Sequence, residues 1–128
     1  MEAPVKRLSE IILAKGLDQA DISMLSEGLR QDVLNEAASA LMAAKRFDEA
    51  ARALAMAGAT ARLVSLSDEF MRQKNFRLAA VFLARSGDEN KIRDIAMTCV
   101  REGMFKEAVM CFEAIKDEKM ADFVRKNY

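Results

Sequence analysis

Apolar residues recur along this chain at spacings of three and four, and the spacing pattern itself repeats. In "KRFDEAARALAMAG", residues 45–58, Phe47, Ala50, Leu54 and Ala57 fall on one helical face before Gly58. "KNFRLAAVFLARSG" and "GMFKEAVMCFEAIKD" follow the same scheme. Phe47, Phe76 and Phe105 stand 29 residues apart, as do Ala50, Ala79 and Ala108. Leu54, Leu83 and Phe112, then Ala57, Ser86 and Ile115, complete the stripe. A second apolar set follows each time: Leu63, Leu66 and Phe70; Ile92, Ile95 and Cys99; Ala121, Val124 and Tyr128. Thr60, Asp88 and Asp117 stand where N-caps belong. Gly58 and Gly87 are expected in a left-handed conformation that ends the preceding helices. The three phenylalanines are expected to be equivalently buried.

The register continues backwards with less fidelity. Leu25, Leu34, Ala37, Leu41 and Met42 keep it, although Asp18 replaces the Phe and Asp21 the small Ala. Val5, Leu8, Ile12 and Leu13 match the second helix again, with Gly16 in the turn. The pattern predicts nine helices, at about 4–15, 18–28, 30–45, 47–57, 60–74, 76–86, 88–103, 105–115 and 118–128. No segment alternates as a strand would. One hairpin cannot bury its own apolar face, so a fixed period of helix pairs implies stacking. The expected fold is all-α. It forms one domain over residues 1–128, with repeats at 4–29, 30–58, 59–87 and 88–116 and a capping helix at 118–128.

"LVSLSDEFMRQKNFRLAAVFLARSG" resembles a tetratricopeptide (TPR) helix pair. Leu63, Leu66, Ser67 and Phe70 fall where that family places large, large, small and large residues in helix A. Phe76, Ala79, Leu83 and Ser86 match helix B, and "IRDIAMTCVREGMFKEAVMCFEAI" repeats the match. TPR units run to about 34 residues and close helix B with proline, whereas these are five shorter and end in glycine. Shortened hairpins of this kind are similar to those of coat and intraflagellar-transport α-solenoids. The resemblance implies a right-handed superhelix whose A helices line a concave groove for a partner segment.

Composition narrows the chemistry. The 20 basic and 20 acidic residues cancel, and a nucleic-acid binder concentrates positive charge instead. No apolar run reaches the roughly 18–20 residues of a membrane span, and "MEAPVKRLSE" lacks a signal peptide's apolar core. Cys99 and Cys111 without a secretion signal point to a reducing, cytoplasmic setting. Histidine is absent, which removes the commonest general base and metal ligand. The two cysteines read as buried small hydrophobes, since no CxxC exists. Asp18 and Asp21 read as an N-cap and a first-turn acid, and no glycine cluster forms a phosphate loop. The nine methionines read mainly as core filler. No cofactor, metal or catalytic group is expected.

A surface remains. The implied groove carries Asn35, Met42, Val64, Asp68, Met71, Arg72, Asn90, Arg93, Met97, Val100 and Arg101, with Lys6, Glu10, Asp32 and Ser39 at its beginning. Arg72, Arg93 and Arg101 beside Met71, Met97 and Val100 suit an acidic amphipathic segment. Glu10 stands where the lysine–asparagine carboxylate clamp of some TPR domains needs an asparagine, which disfavours chaperone-tail binding. The expected function is a non-enzymatic adaptor that binds a protein or peptide. The alternatives are a fragment of a larger α-solenoid scaffold in a transport or coat complex, and a regulatory domain of a multidomain enzyme. Helical-repeat RNA binding is opposed by the zero net charge.

Overall fold

A computed structural model describes residues 2–128, with side chains from residue 4 onward. The described residues form eight helices and no strand: α1 (Glu2–Lys15), α2 (Glu27–Ala43), α3 (Phe47–Met56), α4 (Thr60–Arg72), α5 (Phe76–Leu83), α6 (Glu89–Arg101), α7 (Phe105–Ala114) and α8 (Glu118–Asn127). Hairpins α2–α3, α4–α5 and α6–α7 follow one another. The chain divides into two compact units, Met1–Ala59 and Thr60–Tyr128.

The short connections share one device. Lys45, Lys74 and Gly103 close the A helices with φ of 60°, 58° and 75°. Gly58, Gly87 and Lys116 close the B helices with φ of 70°, 81° and 60°, and Gly16 closes α1 at 88°. Both sets recur every 29 residues. At most of these ends the next residue donates its N–H to the carbonyl five residues back. Arg46 bonds to the Leu41 carbonyl at 2.9 Å, Asn75 to Phe70 at 2.8 Å and Met104 to Cys99 at 2.8 Å. The expected left-handed glycines at 58 and 87 are therefore present, and lysine adopts the same conformation at three further ends. Asp88 and Asp117 cap as expected, accepting from the N–H groups of Lys91 (3.2 Å) and Met120 (3.1 Å). Thr60 is instead the first residue of α4.

In Thr60–Tyr128, a continuous core runs from Ala79 and Leu83 through Ile92, Ile95, Ala96 and Cys99 to Phe112 and Val124. Small residues let paired helices approach: Ser67 and Ala96 on the A helices, Ala79 and Ala108 on the B helices, all buried. The Ser67 hydroxyl donates to the Ala79 carbonyl at 2.9 Å, which satisfies a buried polar group across the hairpin. Helix α5, packed against α4, α6 and α7, is buried from Leu78 to Leu83. Phe47, Phe76 and Phe105 are equivalent, but each is half-buried rather than buried. Tyr128 departs further. Its side chain is 62% exposed, and its ring stacks on Phe105 with centroids 4.4 Å apart instead of entering the core beside Val124.

The predicted helix at 18–28 does not form. Residues 16–26 are turns and bends, so eight helices stand where nine were expected, and α1 packs directly on α2. The physical reason lies in the substitutions. Asp18 forms an ion pair with Arg52, and Asp21 accepts from the Ser23 N–H and hydroxyl at 3.1 and 2.7 Å. Such local side-chain bonds compete with helix. Ser26 then caps α2, accepting from the Leu29 N–H at 3.3 Å, and starts it four residues ahead of the register of α4. Neither aspartate is the helix-start acid expected of it. The end of α1 and the irregular segment are tied to the start of α3: the N-cap Arg46 donates to the Leu13 carbonyl at 2.7 Å, and Glu49 accepts from the Leu17 N–H at 3.3 Å.

A lysine in left-handed backbone geometry costs roughly 1–2 kcal/mol that glycine escapes, partly offset by glycine's larger entropy in the unfolded chain. Lys74→Gly should therefore raise stability by up to about 1 kcal/mol. Gly87→Ala should lower it by about 1 kcal/mol. Chemical denaturation of the two variants checks both signs; a destabilised Lys74→Gly protein contradicts the cap assignment.

Candidate functional site

The A helices α4 and α6 form the candidate site in Thr60–Tyr128. Val64 and Met71 on α4 and Val100 on α6 are half-buried against the core. Met97, near the middle of α6, is 38% exposed. Asp68, Arg72, Asn90, Arg93 and Arg101 are exposed around them. Positions 93, 97 and 100 repeat 64, 68 and 71 after 29 residues, so the two helices present matching rows. In Met1–Ala59, Asn35 donates from Nδ2 to the Gln31 carbonyl at 2.9 Å, and Met42 is half-buried. Lys6, Glu10, Asp32 and Ser39 of the same unit are exposed.

Each of the three arginines already has a polar partner within the protein. Arg72 pairs with Glu69 at 2.5 Å, one turn back, rather than with Asp68. Arg101 donates to the Thr98 hydroxyl at 3.1 Å. Arg93 reaches across to α8 and donates to Asp117 at 2.6 Å. Asp117 thus holds both the guanidinium and the first turn of α8. That guanidinium, with the Met120 N–H, keeps its carboxyl below the usual carboxylate range. Arg93 is consequently a strap between α6 and the start of α8.

Between α4 and α6 lies a shallow cleft of about 160 Å³. Ser67, Met71, Leu83 and Ile95 supply its floor, and Asp68, Lys91, Asp94 and Thr98 line it as well. Sequence reasoning placed Asp68 and Met71 on the groove and missed Lys91, Asp94 and Thr98. Their spacing of three and four was a usable signal, since it marks the edge of α6 rather than its outer ridge.

The cysteines are fully buried in the core of this unit. Burial pushes the Cys99 thiol up to about 11 and the Cys111 thiol up to about 12. A neutral thiol is neither nucleophile nor metal ligand. Among the described residues, no group of three or more Cys, Asp or Glu is placed to hold a metal ion, and no helix is long and apolar enough to cross a membrane. Comparison with protein-family models, curated proteins and solved structures yields no match to this chain.

Two outcomes follow from this geometry. Burial favours the neutral thiols, so their contribution to stability is complete below the ordinary thiol value of 9.0 and is lost as pH climbs toward 11–12. At pH 8 the native protein should resist thiol reagents, and both cysteines should label only on unfolding; rapid native labelling would contradict the burial. Arg93→Glu should lower the melting temperature by breaking the Asp117 contact, whereas Arg101→Glu should leave it nearly unchanged, as exposed polar contacts contribute about 0–1 kcal/mol. Thermal melts of the two variants separate these roles.

Proposed function

We propose that this chain is a protein-binding module that takes a segment of another protein across the A-helix face of α4 and α6. One observation carries the reading: Met97 stands exposed in a row with half-buried Val64, Met71 and Val100, beside a cleft edged by Asp68, Lys91 and Asp94. An apolar strip within a charged rim is the arrangement by which helical surfaces hold an amphipathic segment. The tetratricopeptide-like register of the hairpins supports the same reading, because the A helices are the recognition face of that architecture.

The acidic amphipathic partner is refined by the charges. Of the three arginines, Arg101 pairs neither with Glu69 nor with Asp117 and donates to the neutral Thr98 hydroxyl. Asp68, Lys91 and Asp94 form a mixed rim nearer the cleft. The proposed ligand therefore carries an apolar side chain over Met97, an acid toward Arg101 and a cationic or amide group toward Asp94.

Capture from a lysate of the source cells tests the reading, using the native chain, Met97→Glu, and Lys106→Glu as a control on the exposed surface of α7. A partner retained by the control and lost by Met97→Glu, with unchanged melting of both variants, supports it. Recovery of the same partners by all three proteins places binding elsewhere.

A further inference from the structure

Three departures from the repeat meet at one place in Met1–Ala59. Ala20, Asp21, Ile22 and Ser23 of the irregular segment, Arg30 of α2 and Met56 of α3 line a surface depression of about 460 Å³. Arg30 stands near the start of α2 and Met56 ends α3, so the α2–α3 hairpin brings them to the same end. Ala20 and Ile22 are half-buried. Met56 is 53% exposed, where the later repeats carry Arg85 and Ala114. Met24, just beyond the depression, is 92% exposed. The irregular segment is fastened where it begins. Leu17 is buried with its N–H on Glu49, and Asp18 pairs with Arg52 of α3. A wall fixed in this way costs a ligand little ordering entropy.

Arg30 brings an unanswered charge to this depression. Arg46 and Arg52, the other half-buried arginines of the unit, both end on carboxylates, Glu49 and Asp18. The guanidinium of Arg30, half-buried as well, makes no hydrogen bond or ion pair among the described residues. Glu27, one turn back, does not pair with it, and a cation near a helix N-terminus gains nothing from the dipole. Asp21 shares the depression but is committed to Ser23, accepting from its N–H at 3.1 Å and its hydroxyl at 2.7 Å. The Ser23 hydroxyl, and then its N–H, hold the Asp21 carboxyl below the usual range. It stays a fixed negative edge. We infer that this depression binds the carboxylate of an acidic residue in a peptide segment of another protein, with an aliphatic neighbour of that residue resting on Ile22 and Met56. A guanidinium holds a carboxylate by charge-assisted hydrogen bonds, and a thioether adapts to an aliphatic side chain. A phosphate, with nearly twice the charge, would be repelled by Asp21. The apolar surface runs past the depression to Met24, which favours an extended segment over a small organic acid. This site lies in a different unit from the α4–α6 face and does not rest on the role proposed there.

The test follows the full chain by NMR, through the Arg30 Nε–H and the methionine methyl signals. The probes are acetylated, amidated peptides that set one glutamate at increasing distances from one leucine, with glutamine and phosphoserine versions of each. At least one glutamate peptide should shift the Arg30 and Met56 signals saturably. Its glutamine version should bind at least about tenfold more weakly, the scale of one charge-assisted hydrogen bond. Arg30→Gln should weaken binding by a similar factor with unchanged melting, because its guanidinium has no partner to lose. Met56→Gln should also weaken binding, and Arg7→Gln, at an exposed position of α1, should not. No saturable shift with any glutamate peptide, or equal binding by the Arg30→Gln protein, overturns the inference. So does a glutamine or phosphoserine version that binds as well as the glutamate one. Met97→Glu should bind the probes as the native chain does; a response lost there places the probe on the α4–α6 face and overturns this site alone. Acetate that reproduces the response at equal concentration overturns the assignment to a peptide segment. Sedimentation tests the source: self-association abolished by Arg30→Gln overturns the assignment to another protein, and a monomer agrees with it.

Discussion

The fold depends on the chain reversing direction within two or three residues of each helix end. A left-handed residue makes that possible. It lets the following N–H reach back to the last turn of the helix, as Asn75 does to Phe70 and Asp117 to Phe112. With connections this short, α2 lies against α3, and α4 to α8 each lie against the next, so the apolar stripes meet without a long loop to order. The 29-residue recurrence of these reversals then fixes where the small residues must stand. Ser67 can donate to the Ala79 carbonyl only because both side chains are short enough for the two backbones to come close. Lysine in three of these positions shows that the reversal is demanded by the stack strongly enough to override a residue's own preference.

The irregular segment at residues 16–26 shows what happens when the reversal is present and the helix after it is not encoded. Gly16 still turns the chain. Asp18 and Asp21 then occupy the places that an aromatic and an alanine hold elsewhere, and they bond to Arg52 and Ser23 instead of closing a helix. α2 takes the vacated place against α1, and Arg46 and Glu49 fasten the result from the start of α3. One unit is therefore built from the same repeat grammar with one helix spent as a loop.

Most of the architecture was legible because burial and period reinforce each other. Ala50, Ala79 and Ala108 are all fully buried, and Leu54, Leu83 and Phe112 are buried with them. The failures occur where a position keeps the register but changes chemistry. Helix 18–28 was extrapolated across two aspartates whose local bonding outweighs periodicity. Tyr128 was placed by register beside Val124, but it is the last residue of the chain, and its ring stacks on Phe105 from outside. The candidate site was legible in its apolar members, since Val64, Met71, Met97 and Val100 follow from helix geometry alone. Its charges were not. Arg93 finds Asp117 across 24 residues of sequence, and no spacing rule within α6 anticipates a partner on α8.

That pairing changes how the surface is to be understood. An arginine that caps a neighbouring helix through Asp117 contributes to the stack, and its charge is largely answered before any ligand arrives. The same holds for Arg72 with Glu69. What distinguishes the outward face of α4 and α6 is consequently its apolar content: a methionine exposed where the repeat places Asp68 on the preceding helix. Thioether side chains adapt to the shape of what they meet, so Met97 favours contact with an apolar group without prescribing its outline. Under the proposed binding role, selectivity would come from the rim, where Asp68, Lys91 and Asp94 place opposite charges within one shallow cleft. A mixed rim discriminates by arrangement, because each like-charge encounter is repulsive while exposed opposite-charge contacts add little. The repeat supplies the surface as a by-product of stacking, and the few positions at which it departs from its own pattern give that surface its chemistry.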